Sequence, residues 1–309
     1  MEQISRPDVY AVSTDQSTQG GFMSRKRTVC IALLAGAALL AACTQMAGEG
    51  RSGGLQRMYV LDCGENQTND LSRWSPGFNA GKYFEFSDQC YLIRHAKGLM
   101  LWDSGLADSI VATPGGVVRG GGAIRSIVRK TLVSQLAEIG VKPEEVTHIA
   151  FSHTHGDHVG NANYFTRATL YIQEAEYDAA FGANPSKFGF DPSLYDKLRA
   201  NPVVKLNGDY DVFGDASVMI LSTPGHTPGH QSLLVRLPKR GPVVLSGDMT
   251  HFQENWVNRR VPANNFNKDQ SLQSMEKIAV LLDASKAQLW INHDKAQSMT
   301  VPRSPQYVE

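Results

Sequence analysis

The stretch Ser152-His153-Thr154-His155-Gly156-Asp157-His158 constrains this chain more than any other feature. Three of its nine histidines fall within six residues, directly behind the apolar run 146–151. A short apolar run bounded by turn residues reads as a buried strand. Open α/β sheets build their sites just past the carboxyl ends of such strands. Three neighbouring imidazoles and a carboxylate are poor material for a hydrophobic core, where every polar group needs a partner. They are good material for a metal site, since imidazole nitrogen and carboxylate oxygen are ligands zinc accepts. The fold must therefore end a strand on a metal-binding turn.

The same arrangement recurs three times. Run 218–221 leads into Thr223-Pro224-Gly225-His226, run 243–245 into Gly247-Asp248, and run 288–291 into Asn292-His293-Asp294. Each alone is an ordinary turn. Together they give seven ligands, His153, His155, Asp157, His158, His226, Asp248 and His293, enough for two zinc ions. Further strands are expected over 58–61, 89–94, 99–102, 170–173 and Gln231–Leu237, with 89–94 and 99–102 joined through Lys97-Gly98 as a hairpin. Helical spacing runs over 130–139, stopping at Gly140, and over 268–282, where Leu272, Met275, Ile278, Ala279 and Leu282 share a face. Strands with intervening helices predict an α/β layered domain. Pro114-Gly115-Gly116 and Gly120-Gly121-Gly122 lack the spacing of a phosphate loop and read as a mobile surface loop, with Arg119, Arg125 and Arg129 as a solvated face. His95, His148 and His230 read as structural.

The front of the chain has a different character. Residues 1–22 are polar and aperiodic; Met23 then opens Ser24-Arg25-Lys26-Arg27, an apolar run over 28–42, and Leu40-Ala41-Ala42-Cys43. That is the pattern of a secretory signal peptide, and the run falls short of the ~20 apolar residues a membrane span needs. Its last four residues resemble a bacterial lipobox with Cys43 as the lipidated residue. The expected organisation is an over-extended N-terminus at 1–22, a signal peptide at 23–42, a lipidated tether at 43–56 and a catalytic domain at 57–309. The product would be exported, an outer-membrane lipoprotein or a periplasmic protein, touching a membrane only through Cys43. Of the other cysteines Cys30 lies in the leader, which leaves Cys63 and Cys90 either to pair in an oxidising compartment or to remain buried thiols. Charge is balanced at 30 basic and 30 acidic residues, and at 26 and 27 without residues 1–42. A nucleic-acid partner is thereby excluded, since it calls for a clear basic excess. At 42% hydrophobic and 19% charged residues the chain is not a disordered one either.

From residue 57 to the end the sequence resembles the metallo-β-lactamase superfamily in its ligand motifs. The resemblance implies a four-layer αββα sandwich of the α/β class and two zinc ions per chain, or other divalent metals. One zinc would take His153, His155 and His226, the other Asp157, His158 and His293, with Asp248 bridging. Asp103, in Leu101-Trp102-Asp103-Ser104-Gly105, matches the family's early supporting aspartate. The implied chemistry is hydrolysis by a metal-bridging hydroxide. An acidic residue at 248 points away from the β-lactamases proper and toward the lactonase, glyoxalase II and phosphodiesterase branches. The balanced charge departs from the tRNA-processing nucleases, and the 16 residues after His293 are too few for the C-terminal domain of glyoxalase II. Tyr59-Val60-Leu61-Asp62-Cys63-Gly64, Cys90-Tyr91-Leu92-Ile93-Arg94-His95 and Ile291-Asn292-His293-Asp294-Lys295 resemble the N-acyl-homoserine lactonases. That implies a small-molecule lactone substrate, opened with Asp157 protonating the leaving alkoxide; the alternative is a broader hydrolase of other esters, β-lactams or phosphotriesters. Oligomeric state stays open, a dimer included. One position departs: many lactonases place a tyrosine three residues after the bridging aspartate to donate to the substrate carbonyl, and here His251 is assigned that role. Phe252, Trp256 and Phe266, and separately Tyr177, Phe181, Phe188 and Phe190, are two candidate linings for an acyl chain.

Overall fold

A computed structural model describes residues 54–309; the expected leader, Cys43 and nearly all of the expected tether lie outside the described residues. Among the described residues no helix is long and apolar enough to cross a membrane. In chain order the strands are β1 (Leu55–Thr68), β2 (Phe84–His95), β3 (Gly98–Trp102), β4 (Val117–Arg119), β5 (Ile124–Ile127), β6 (His148–Ala150), β7 (Thr169–Gln173), β8 (Val203–Leu206), β9 (Tyr210–Asp211), β10 (Val218–Ser222), β11 (Gln231–Leu237), β12 (Gly241–Leu245), β13 (Gln288–Trp290) and β14 (Tyr307–Val308). The helices are α1 (Leu132–Glu138), α2 (Glu174–Phe181), α3 (Gln253–Asn258), α4 (Lys268–Ser285) and α5 (Lys295–Ser298). One nine-stranded sheet has the order β4-β5-β1-β2-β3-β6-β7-β8 with β14 added to β1, and a five-stranded sheet has the order β13-β12-β11-β10-β9.

Alternation along the strands builds the layers, because successive side chains in a strand face opposite ways. Met58 and Val60 of β1, with Ile93, Met100 and Trp102, turn toward Ile220, Leu233, Val235, Val243 and Leu245 of the second sheet and form the core between the sheets. Tyr59, Leu61 and Cys63 turn the other way, onto Leu132 and Leu136 of α1 and Ala179 and Ala180 of α2. The outer face of the second sheet, through Leu221, Leu234 and Val244, packs on Met275 and Ile278 of α4. Helix, sheet, sheet and helix are the four expected layers. On the helix side Cys63 and Cys90 are joined in a disulfide with Cα atoms 5.8 Å apart, which settles the choice between a pair and two thiols. Closing a loop of 27 residues contributes about 3.5 kcal/mol in the chain-entropy account.

Several expectations are corrected. β1 begins at Leu55, ahead of the expected strand start at 58, and its 14 residues carry it to Thr68, well beyond the apolar 58–61. Its second half is polar, and a register shift between Asp62 and Gly64 lets it bend onward beside β2. The hairpin joining β2 and β3 turns on Ala96-Lys97, because His95 pairs with Gly98. The glycine-rich segment is no mobile loop: β4 and β5 pair as a hairpin, and β5 pairs with β1. Arg129 beyond it is not a freely solvated cation, since its guanidinium lies 3.3 Å from the Glu65 carboxylate. α1 is shorter than 130–139 because Thr131 caps it, its hydroxyl accepting from the Ser134 amide at 3.1 Å.

Strand direction is what assembles the site. β6 runs parallel to β3 and β7, and β12 runs parallel to β13. β10 and β12 are both antiparallel to β11 and therefore parallel to each other. The carboxyl ends of β10, β12 and β13 thus share one edge of the second sheet.

Candidate metal centre

Each ligand candidate sits on the turn that follows a strand: His153 to His158 after β6, His226 after β10, Asp248 after β12 and His293 after β13. All seven are brought together. His155 Nδ1 lies 2.8 Å from His153 Nε2 and 3.0 Å from His226 Nε2, so three imidazole nitrogens converge on one point. The two oxygens of Asp248 face different groups. Oδ2 lies 3.3 Å from His226 Nε2 and 3.8 Å from His153 Nε2, while Oδ1 lies 3.2 Å from His158 Nε2 and 3.0 Å from His293 Nε2. Asp157, His158 and His293 form a second convergent set.

The far nitrogen of each imidazole is tied to an acceptor, which fixes the tautomer and leaves the inward nitrogen as a lone pair. His155 Nε2 donates to Phe188 O at 3.0 Å, His226 Nδ1 to Asn265 Oδ1 at 2.9 Å, and His293 Nδ1 to Ser87 O at 2.7 Å. His158 Nδ1 lies 3.1 Å from Asp103 Oδ2, and Ser152 Oγ lies 3.1 Å from His153 Nδ1. Asp103, the expected supporting aspartate, also accepts from the Ser152 amide at 2.6 Å. It holds this place at φ +58°, a left-handed conformation that aspartate tolerates better than most residues.

These inward atoms fit a cation better than they fit each other. His158 Nε2 and Asp248 Oδ1 are buried without a hydrogen-bond partner, which is costly unless something else satisfies them. Burial pushes the His153 and His226 imidazoles well below their ordinary range, so they are neutral and able to ligate. Burial favours the acid form of Asp248, but the surrounding imidazoles, led by His293 and His251, outweigh it and hold the carboxyl well below its ordinary range. Metal binding calls for a carboxylate with neutral imidazoles. Burial favours that state in His158 and His293 too, but Asp248 outweighs it and pushes both up, His293 to about 9, so a cation at their position must displace their protons. The groups present therefore fit two divalent cations, with Asp248 between them.

His251 belongs to the same cluster. Its Nε2 is 3.0 Å from Asp248 Oδ2, and its ring stacks on His293 at 5.6 Å. Its Nδ1 is buried without a partner. A cleft of about 460 Å³ opens over these residues, floored by His155, Asp157, His226, Asp248 and His251. Its apolar walls are Trp74, Ile124, Phe188 and Phe266. Of the two candidate acyl linings, one residue of each reaches the cleft, Phe266 of the first three and Phe188 of the second four. Phe188 and Phe266 touch across the cleft at 6.0 Å between centroids. Phe252 is instead buried with Leu71 and Phe86, Trp256 packs under the second sheet, and Tyr177 and Phe181 pack on the first core. Phe190 is buried against the His155 ring.

Three supporting residues escape the sequence reading. Asn66 of β1 donates to Asp157 Oδ2 at 2.9 Å and is itself held by Ser126 of β5 at 2.6 Å. His230, taken as structural, accepts the Asp248 amide on Nε2 at 2.9 Å and so aims the carboxylate. The turn before it leaves room only for glycine at 247, where a Cβ would stand 2.5 Å from Ser152 Cβ. The doubled Pro-Gly-His triplet at 224–226 and 228–230 is the visible trace of His230. Glu176, from α2, binds two of the turns at once. His95 and His148 are structural as expected, stacked on Phe213 and Tyr171.

Among known proteins, residues 85–284 match the family profile described as the metallo-beta-lactamase superfamily. An N-acyl homoserine lactonase of a Bacillus species is 30% identical over 259 residues, spanning 82% of this chain and 99% of its own. An N-acyl homoserine lactonase of Azorhizobium caulinodans is 31% identical over 268 residues, spanning 82% and 98%. Among solved structures, an N-acyl homoserine lactone hydrolase with the product N-hexanoyl-L-homoserine at its catalytic metal centre aligns with a TM-score of 0.72 at 27% identity, covering 82% of this chain and 99% of that one. A dizinc quorum-quenching lactonase shares the fold at 19% identity and a TM-score of 0.57.

Proposed function

This chain belongs to the metallo-β-lactamase superfamily and groups with its N-acyl homoserine lactonases, and on that premise we propose that it is a dizinc hydrolase that opens the lactone ring of N-acyl-homoserine lactones. The observation that carries the reading is Asp248, whose two oxygens face two separate ligand sets at the floor of a cleft that has Trp74, Phe188 and Phe266 among its walls. His153, His155 and His226 would hold one zinc ion and Asp157, His158 and His293 the other, with Asp248 shared. Bound there, the pair supplies Lewis acidity and a water whose pKa is lowered to about 7.

The remaining work falls to side chains of the chain. Trp74, Phe188 and Phe266 take the acyl chain out of water. His251, which lines the cleft beside Asp248, is the proposed donor to the lactone carbonyl oxygen as charge develops on it. Asp157 is ionised at rest: burial raises its pKa, but His158 and His293 hold it below its ordinary range. As a carboxylate at the cleft floor it is the proposed acceptor of the proton lost by the attacking water. It then returns that proton to the ring oxygen as the carbon–oxygen bond breaks. Asn66 holds its carboxylate in place throughout. The product is the open hydroxy acid, one water heavier than the substrate.

Zinc-loaded protein incubated with lactones of short, medium and long acyl chains should convert each to its open acid by mass. Nitrocefin and a phosphotriester run alongside test the broader hydrolase. Lactones that survive while either of those is cleaved would overturn the assignment. The protein is further proposed to be exported and lipid-anchored at Cys43, a reading supported by the basic, apolar and Leu-Ala-Ala-Cys segments of residues 23–43. The disulfide supports an oxidising compartment.

A further inference from the structure

Glu176 carries no ligand and faces no substrate, yet it is 1% exposed. It sits in the first turn of α2 and uses both carboxylate oxygens fully. Oε1 accepts from the Thr154 amide at 2.9 Å and the Thr154 hydroxyl at 3.0 Å. Oε2 accepts from the Thr227 hydroxyl at 2.7 Å and the Gly229 amide at 2.9 Å. A carboxylate offers about four acceptor positions, and all are filled. No cation pairs with it among the described residues, so these four donors alone compensate a buried acid.

The identity of the donors gives the carboxylate its meaning. Thr154 lies between His153 and His155, and Thr227 directly follows His226. Glu176 therefore ties together the two turns that carry the three convergent imidazoles, which come from the first and second sheets respectively. The contact is close: a Cβ on Gly229 would stand 2.3 Å from the Glu176 amide nitrogen. None of the four bonds reaches His293 or the Asp248 turn. The second ligand set is anchored elsewhere, by Asp103 on His158, Ser87 on His293 and Asn66 on Asp157.

We propose that Glu176 is a positioning residue that sets the metal affinity of the His153–His155–His226 position ahead of the other, by holding two turns of different sheets at the separation that position needs. This rests on the dizinc reading of the site. The physical basis is preorganisation. Ligands held in place before the ion arrives spend no binding energy on being ordered, and supports behind a ligand typically govern metal affinity by 10- to 100-fold.

Glu176→Gln tests it. The amide keeps the shape but sets an NH2 group against two donors on one side. Dialysis of the zinc protein against graded chelator, with metal counted per chain, should show the variant losing one ion at about 10-fold lower chelator strength or less, the other ion leaving as in the wild type. Cobalt substitution should show the same selective loss in its visible spectrum. If Glu176→Gln does not fold, the Thr154→Val/Thr227→Val double variant removes both hydroxyl bonds while keeping the charge, and the same selective loss is expected. Both ions held with wild-type strength, or both weakened equally, overturns the proposal and leaves Glu176 as a packing residue. Wild-type protein that never holds two ions fails the dizinc reading first, which separates the two failures.

Discussion

At the scale of single residues, the donor nitrogens are chosen by what holds the other side of each ring. His155 would ligate through Nδ1 and His226 through Nε2, because Phe188 O and Asn265 Oδ1 occupy the opposite nitrogens. The sequence lists the histidines but not these tautomers, since the acceptors lie 33 and 39 residues away. His251 is the residue where family habit and this chain differ. Its place at the cleft floor beside Asp248 supports a donor to the developing oxyanion. His251→Phe should lower kcat/KM by about 10²-fold, mostly in kcat, as expected for losing one such donor. Zinc content measured on the same samples should stay at the wild-type level. Loss of metal together with activity would show that His251 acts through the ions instead.

At the scale of elements, the polar half of β1 is the instructive case. Apolar alternation marks only 58–61, and the strand continues because its polar residues find partners on β5, α5 and the β6 turn. Glu65 receives the Lys295 ammonium at 2.6 Å and the Arg129 guanidinium at 3.3 Å. Burial raises the Glu65 pKa, but hydrogen bonds from Lys295, Gln67 and Arg129 bring it below its ordinary range. A carboxylate depressed in the folded state adds stability above its unfolded value near 4.3 and loses it as pH falls through the lower folded value. Glu65→Gln should therefore lower the melting temperature at pH 7, and the gap to wild type should close below about pH 4. Melting curves across that range check it, and a gap independent of pH would sink the ion-pair account. The β4–β5 hairpin escaped notice for a related reason. Its strands are three and four residues long among five glycines, too short for any period to register.

At the scale of the whole molecule, the proposal of an exported lipoprotein rests on the segments of residues 23–43. In a bacterial host fed labelled palmitate, the full chain should take up label and Cys43→Ala should not. Label retained by the alanine variant would remove Cys43 as the anchor. The catalytic body gains independent stability from the Cys63–Cys90 link between β1 and β2. Pairing those cysteines from sequence was an even choice, because compartment and spacing allow a bond but do not bring two sulfurs together.

The amino-acid sequence by itself determined the metal chemistry, the layered class and the strand ends on which the ligands ride. Those are local facts: a ligand-type residue one or two positions past an apolar run is legible without knowing what lies beside it. Only the tertiary structure decided which oxygen of Asp248 faces which set of candidate ligands, that Asn66 and Glu176 brace them, and that Phe188 meets Phe266 over the cleft. These contacts join residues from separate strands, turns and helices. A hydrogen bond from a lone side chain to a distant backbone leaves no periodicity behind, so only the packed sheets reveal it.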